Sequence, residues 1–413
     1  MEPATELCNG PTETSTITIV ITTIVSTVTF LIFLKWSLEP RRPQILPGPL
    51  TTTIPRLTKE ELAQVPYQPD HFPGARDVVT PYGNIRVYEF GPETGRKVLF
   101  LHGISTSCMT LNDIALDLAS KGCRVMLYDL FGRGYSDGVG DLPSDTRLFV
   151  TQILLVLASS PLPWTGDGAL NLVGYSLGGG IAVNFAAAFP RLVASLVLLA
   201  PAGLIRAANI GRASRLVFTS GLVPERLLEG LTRRRLRAPI GNAVAKRRRA
   251  SSVSSVTNGG AVAAAAAATT LELPGASMDK EGYVDVAVQE VVDDDTPNSP
   301  SPIEAKIASY VRWMLDYHTG FVPSFMSTIR HGPLLEQHHY WRELAKREPG
   351  TTAVILGRQD ELIQKADYKE DALPLMGGEG NVFWRVVSGG HNMPFTNSSE
   401  VIEAIHEFWG IKE

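Results

Sequence analysis

Cysteine is scarce in this chain of 413 residues: Cys8, Cys108 and Cys123 are an odd set of three with no C-x-x-C spacing. That excludes a disulfide framework and a cysteine-based zinc cluster, and a reducing compartment is the expected setting. A charge excess of one sign is also missing. Lys plus Arg number 38 and Asp plus Glu 42, for a net charge of −4, so no overall basic field exists to hold nucleic acid. The sequence has no P-loop, no dinucleotide fingerprint and no metal-ligand cluster, and neither a cofactor nor a metal is expected. Disorder throughout is excluded as well, because 44% of the residues are hydrophobic and only 19% charged.

One long uncharged run is present. Residues 17–34 read ITIVITTIVSTVTFLIFL, near the minimum for a spanning helix of roughly 20 residues. Its Thr and Ser hydroxyls can bond back to helix carbonyls, which lowers the cost of their polarity in lipid. Glu2, Glu6 and Glu13 precede it where a secretory signal would carry bases, and no A-x-A-like cleavage site follows. A retained transmembrane anchor over 17–36 is therefore expected, behind an amino-terminal tail at 1–16. Lys35, Arg41 and Arg42 at its far end place the carboxy-terminal bulk in the cytosol by the positive-inside rule. From 37 to 75 the closely spaced prolines predict a semi-rigid tether without regular structure.

Beyond residue 76 the pattern becomes alternating. Short apolar runs suited to buried strands occur at 85–90, 98–101, 125–130, 169–173, 196–199, 353–356 and 383–387, with helical stretches at 111–120, 147–158, 177–189 and 400–409. Strand–helix alternation with short loops predicts an α/β fold, a mostly parallel sheet covered on both faces, with its chemistry at the carboxyl ends of the strands.

Four strand ends carry that chemistry. Gly174-Tyr175-Ser176-Leu177-Gly178 is a G-x-S-x-G between a strand and an Ala-rich helix, the context in which this short pattern marks a nucleophilic serine. Serine needs an imidazole to take its proton and a carboxylate to orient that imidazole. Gly357-Arg358-Gln359-Asp360-Glu361 and Ser388-Gly389-Gly390-His391-Asn392 offer these in the order Ser, Asp, His, with Asp360 preferred to Glu361 by position. A tetrahedral oxyanion needs two backbone N–H donors. Leu177, at the start of the helix, and Ile104, in the loop His102-Gly103-Ile104-Ser105, are the candidates. His102, at a strand terminus, is expected to brace that loop and not to act as the base.

The segments LFLHGIS, YDLFGRGYSD, VGYSLGGG, GRQD and GGHNMPF together resemble the α/β-hydrolase superfamily, and within it the membrane-anchored monoacylglycerol lipase-like serine hydrolases, over about 76–409 apart from an insertion. The resemblance implies an α/β-hydrolase fold whose core, at 76–203 and 351–413, is interrupted by a helical cap at 204–350. It also implies that Asp129 is structural. Some members place the acid at an earlier strand end, where this chain has Pro201, Ala202 and Gly203, which favours Asp360; members with Asp as nucleophile, the epoxide hydrolases and dehalogenases, are set aside by Ser176.

Cap helices are expected within 213–232 and 303–330, and Trp313, Phe321, Phe325 and Met326 are candidates both for packing on the body and for contact with an acyl chain. Residues 234–302 hold an arginine-rich block, an alanine run and an acidic end, a composition expected to be disordered. RRRASS within them is similar to a basophilic kinase site, with Ser251 or Ser252 as acceptor, and the basic half could lie on anionic lipid. Asn397-Ser398-Ser399 is a glycosylation match that a cytosolic body would leave idle. The expectation is a membrane-anchored serine hydrolase acting on a carboxylic ester of a lipid or apolar small molecule. The alternatives are a tailoring hydrolase cleaving a thioester, amide or carbon–carbon bond, and a non-catalytic ligand-binding or scaffold protein of the same fold.

Overall fold

The computed structural model describes residues 13–38, 42–221, 223–237, 290–291 and 301–412. The uncharged run forms helix α1 (Glu13–Leu38), whose stretch Thr16–Leu34 is long and apolar enough to cross a membrane and is not buried against the rest of the protein. Thr22 and Thr23 donate their hydroxyls to the carbonyls of Thr18 and Ile19, each at 2.8 Å, so the helix itself satisfies their polarity.

The proline-rich stretch differs from the expected tether. Strand β1 (Ile45–Leu46) and the short helices α2 (Pro49–Thr52) and α3 (Lys59–Ala63) lie within it, the last opened by a capping box between Thr58 and Glu61. Leu46, Val65, Tyr67 and Phe72 are buried in the body. Proline spacing reports on the backbone alone; the apolar side chains between the prolines dock this segment.

The body is built on strands β2 (Ala75–Thr80), β3 (Gly83–Phe90), β4 (Lys97–Leu101), β5 (Arg124–Tyr128), β7 (Leu170–Tyr175), β8 (Val193–Leu199), β9 (Thr352–Gly357) and β10 (Val382–Val387). They form one eight-stranded sheet in the order β10-β9-β8-β7-β4-β5-β3-β2, parallel from β10 to β5 and antiparallel at β3 and β2. The short strand β6 (Gly138–Val139) pairs with β1 outside that sheet. Val98, Leu99, Phe100 and Leu101 are wholly buried, as are Leu196 to Leu199, because both faces of the central strands are covered. Edge strand β2 alternates exposed and half-buried residues, so no apolar run announced it. Among the covering helices are α4 (Asn112–Ser120), α5 (Thr146–Ala158) and α6 (Leu177–Ala188).

Between β8 and β9, where a cap is expected, lie the helices α7 (Arg212–Thr219), α8 (Glu225–Leu236), α9 (Pro302–Tyr317) and α10 (Phe321–His331). Helix α9 starts with a capping box, Ser301 with Glu304, and buries Ile307, Val311, Met314 and Leu315. Arg330 of α10 donates to both oxygens of Glu225 at 3.0 and 2.7 Å, and Arg42 reaches Glu225 and Glu229, so helix α8 is joined both to α10 and to the segment that follows α1. Of the insertion expected at 234–302, residues 234–236 belong to α8, Glu290 and Val291 are buried, and 301–302 open α9. Residues 238–289 and 292–300, with Ser251 and Ser252, lie outside the described residues.

One buried ion cluster ties β3 to its surroundings. The Glu89 carboxylate accepts from Arg76, Arg124, Ser160 and Trp164, which hold it below the usual carboxylate range even though burial pushes it up. Replacing Glu89 with Ala strips these donors of their acceptor, and a loss of about 3 kcal/mol is expected as a lower midpoint in urea unfolding.

Candidate active site

The nucleophile candidate sits where β7 turns sharply into α6. Ser176 has φ 52° and ψ −119°, a conformation that L residues avoid and that persists only under constraint. The constraint is visible: its N–H donates to Leu199 O at 3.0 Å, and its carbonyl accepts from Gly179 and Ala202 at 2.9 and 2.8 Å. Gly174 and Gly178 are required by space. A methyl on Gly178 would lie 2.3 Å from the carbonyl oxygen of Leu101, and one on Gly174 would lie 2.4 Å from that of Gly178.

Two loops on neighbouring strands reach Ser176. His391, after β10, places Nε2 at 2.9 Å from Ser176 Oγ and Nδ1 at 2.8 Å from Asp360 Oδ2. Asp360, after β9, is fixed in turn, since its Oδ1 accepts the N–H groups of Leu362 and Ile363 at 3.0 and 2.7 Å. All three side chains are buried, whereas Glu361 is exposed. Burial disfavours the His391 cation, but the Asp360 charge and hydrogen bond, together with the charge of Glu290, outweigh it and raise its pKa above the ordinary imidazole value.

His102 braces the loop that follows β4, as expected. Its Nε2 accepts the Leu130 N–H at 2.9 Å and its Nδ1 faces Gly103 O at 2.9 Å, an arrangement that needs the neutral ring with a proton on Nδ1. Complete burial pushes its pKa down to about 3, which matches that tautomer. Asp129 is likewise structural: it accepts from the N–H groups of Tyr135 and Cys108 and from Tyr67 Oη. Arg133, in the same motif, was not singled out by its sequence context. Its buried guanidinium donates to Ile104 O, Phe131 O and Thr328 Oγ1, tying the loop after β4 to the motif turn and to helix α10.

Of the oxyanion candidates, the Leu177 N–H is in the first turn of α6, where amides have no partner within the helix. The Ile104 N–H instead donates to Glu290 Oε1 at 2.9 Å. Glu290 is wholly buried and also accepts from the N–H of Ser105. Glu290 was not expected here, since it belongs to a low-complexity stretch far along the chain and carries no motif. Trp313 packs on Tyr135 with ring centroids 6.1 Å apart, and Phe321, Phe325 and Met326 are wholly buried. Two described cavities, of about 360 and 50 Å³, include neither the three site residues nor these four cap residues in their walls.

The sheet order, the sharp turn at Ser176 and the helices between β8 and β9 give the chain an α/β-hydrolase fold. Residues 92–268 match the family model described as serine aminopeptidase, S33. A serine hydrolase-like protein of Dictyostelium discoideum is 34% identical over 127 residues, which are 30% of this chain and 33% of that protein. Monoglyceride lipase of Mus musculus is 28% identical over 109 residues, 26% of this chain and 36% of that enzyme. The chain thus spans about a third of the length of these curated relatives. Among solved structures, carboxylesterase CesB of Bacillus subtilis superposes with a TM-score of 0.52 at 16% identity, covering 81% of this chain and 90% of that one, a likeness of fold.

Proton acceptance by His391 requires its neutral form. With its pKa raised above 6.5, reaction at Ser176 is expected to fall as pH drops, with the half-maximal point above pH 6.5. The rate of fluorophosphonate labelling measured across pH checks this, and a midpoint below 6.5 would contradict the arrangement.

Proposed function

We propose that this protein is a membrane-anchored serine hydrolase that cleaves a carboxylic ester of a lipid or apolar small molecule through an acyl-enzyme on Ser176. The observation that carries this reading is the continuous relay from Ser176 Oγ through His391 to Asp360, at 2.9 and 2.8 Å, with Ser176 in the strained turn.

In the first half-reaction Ser176 Oγ attacks the acyl carbon while His391 Nε2 takes its proton. Asp360 keeps the remaining imidazole proton on Nδ1 and stabilises the imidazolium. The developing oxyanion is taken by the N–H groups of Leu177 and Ile104, each such donor contributing roughly 3 kcal/mol to lowering the barrier. Collapse expels the alcohol, which receives the proton held on His391. A water deprotonated by His391 then attacks the acyl carbon, and cleavage of the bond to Ser176 Oγ releases the acid while His391 returns its proton to that oxygen.

Helix α1 supports a location at a membrane, and Lys35, Arg41 and Arg42 on its carboxy-terminal flank favour a cytosolic body. The similarity to monoglyceride lipase supports an ester over other acyl compounds. An anchored body suits a substrate that partitions into the bilayer.

A fluorophosphonate probe is expected to label the wild-type protein and not Ser176→Ala; equal labelling of the two folded proteins sinks the proposal. Asp360→Asn is expected to keep the fold and lower the turnover of acyl esters by about a thousandfold, since the wrong tautomer of His391 is then favoured. For the anchor, the full-length protein should resist alkaline carbonate extraction from membranes and a form lacking residues 1–40 should be released. Release of both would remove the membrane-spanning reading.

A further inference from the structure

The loop after β4 is already loaded with a negative group. Glu290 Oε1 accepts the Ile104 N–H at 2.9 Å, and Oε2 accepts both the Ser105 N–H at 2.8 Å and the Ser105 hydroxyl. A methyl on Gly103 would stand 2.3 Å from Oε1, and the three nearest atoms it would meet all belong to this carboxylate. The absent side chain at Gly103 is the space that Glu290 fills. Behind the loop, the buried Arg133 guanidinium holds Ile104 O at 3.0 Å and places a positive charge on that side.

Donors arranged for a tetrahedral oxyanion favour full negative charge on oxygen. An ester carbonyl in its ground state is neutral, whereas a carboxylate accepts hydrogen bonds about twice as strong. A carboxylate on the same chain also binds without the loss of free translation that a substrate suffers. On these grounds Glu290 outcompetes the ester carbonyl for the Ile104 N–H.

We infer that Glu290 is an autoinhibitory plug, a side chain of the cap insertion that occupies the oxyanion site and must withdraw before an acyl ester can be attacked. The inference rests on the serine hydrolase reading of the same site. The reactive fraction of the protein is then the fraction with Glu290 withdrawn, and the apparent rate is reduced by that fraction.

The test compares the full-length protein with Glu290→Ala and Glu290→Gln in detergent micelles, following the rate of fluorophosphonate labelling and the hydrolysis of a short p-nitrophenyl ester. Glu290→Ala is expected to react about tenfold faster or more, still only at Ser176, with Glu290→Gln in between because a neutral amide oxygen is the weaker acceptor. Should the alanine variant fail to fold, the near-isosteric glutamine variant makes the same comparison. If the wild-type protein labels at Ser176 and neither variant is faster, the plug is overturned while the hydrolase reading stands. Slower labelling overturns it too, and makes Glu290 a positioning residue for the reaction. Absence of label at Ser176 in all folded forms sinks both readings.

Discussion

The backbone of Ser176, held at a positive φ, is the constraint on which the site depends. A conformation of this kind costs about 1–3 kcal/mol and survives only where the surroundings leave no alternative. Here those surroundings are the end of β8, which accepts the Ser176 N–H, the first turn of α6, and the carbonyl of Leu101, which presses on Gly178 so closely that no side chain fits between. The last contact has a second effect. It brings the end of β4, and with it the loop of Gly103 to Ser105, against the start of α6, so that the amides of Leu177 and Ile104 come from two chain segments packed together by one glycine.

Around this turn, buried polar groups are arranged in charge states that their partners dictate. His102 is neutral because one ring nitrogen must accept from Leu130. His391 is biased towards its cation because Asp360 and Glu290 are near it. Arg133 ends on two carbonyls and a hydroxyl, so its cation faces the loop of Gly103 to Ser105 from behind while helix α10 supplies the third acceptor. Cap and loop are therefore linked electrostatically as well as by packing, and a carboxylate brought in by the cap insertion finds donors ready for it.

Much of the body was legible because its signals are local. Central strands covered on both faces read as unbroken apolar runs, and of the residues that the strand-end motifs singled out, His391 lies within hydrogen-bond distance of both Ser176 and Asp360. Edge strand β2 gives no apolar run because ARDVVT alternates exposed and half-buried residues and buries none of them fully. The helix at Lys365–Leu375 was missed because its apolar residues follow no helical face and Pro374 lies within it. The stretch before residue 75 reads as a tether because prolines dominate its pattern, although Tyr67 and Phe72 are core residues. Trp313 illustrates the limit of composition, since an aromatic on a cap helix can face a ligand or the body, and here it lies against Tyr135.

By itself the sequence determined the strand–helix alternation, the apolar amino-terminal helix, the order of the nucleophile, acid and base candidates, and the glycines that a tight turn demands. These are properties of residues near one another in the chain, where periodicity and backbone sterics act directly. Only the tertiary structure decided that Glu290 meets Ile104 across 186 positions of sequence, that Arg133 joins loop to cap, and that the proline-rich segment packs on the body. Such pairings depend on how distant surfaces close on each other, and no local pattern of residue types encodes that.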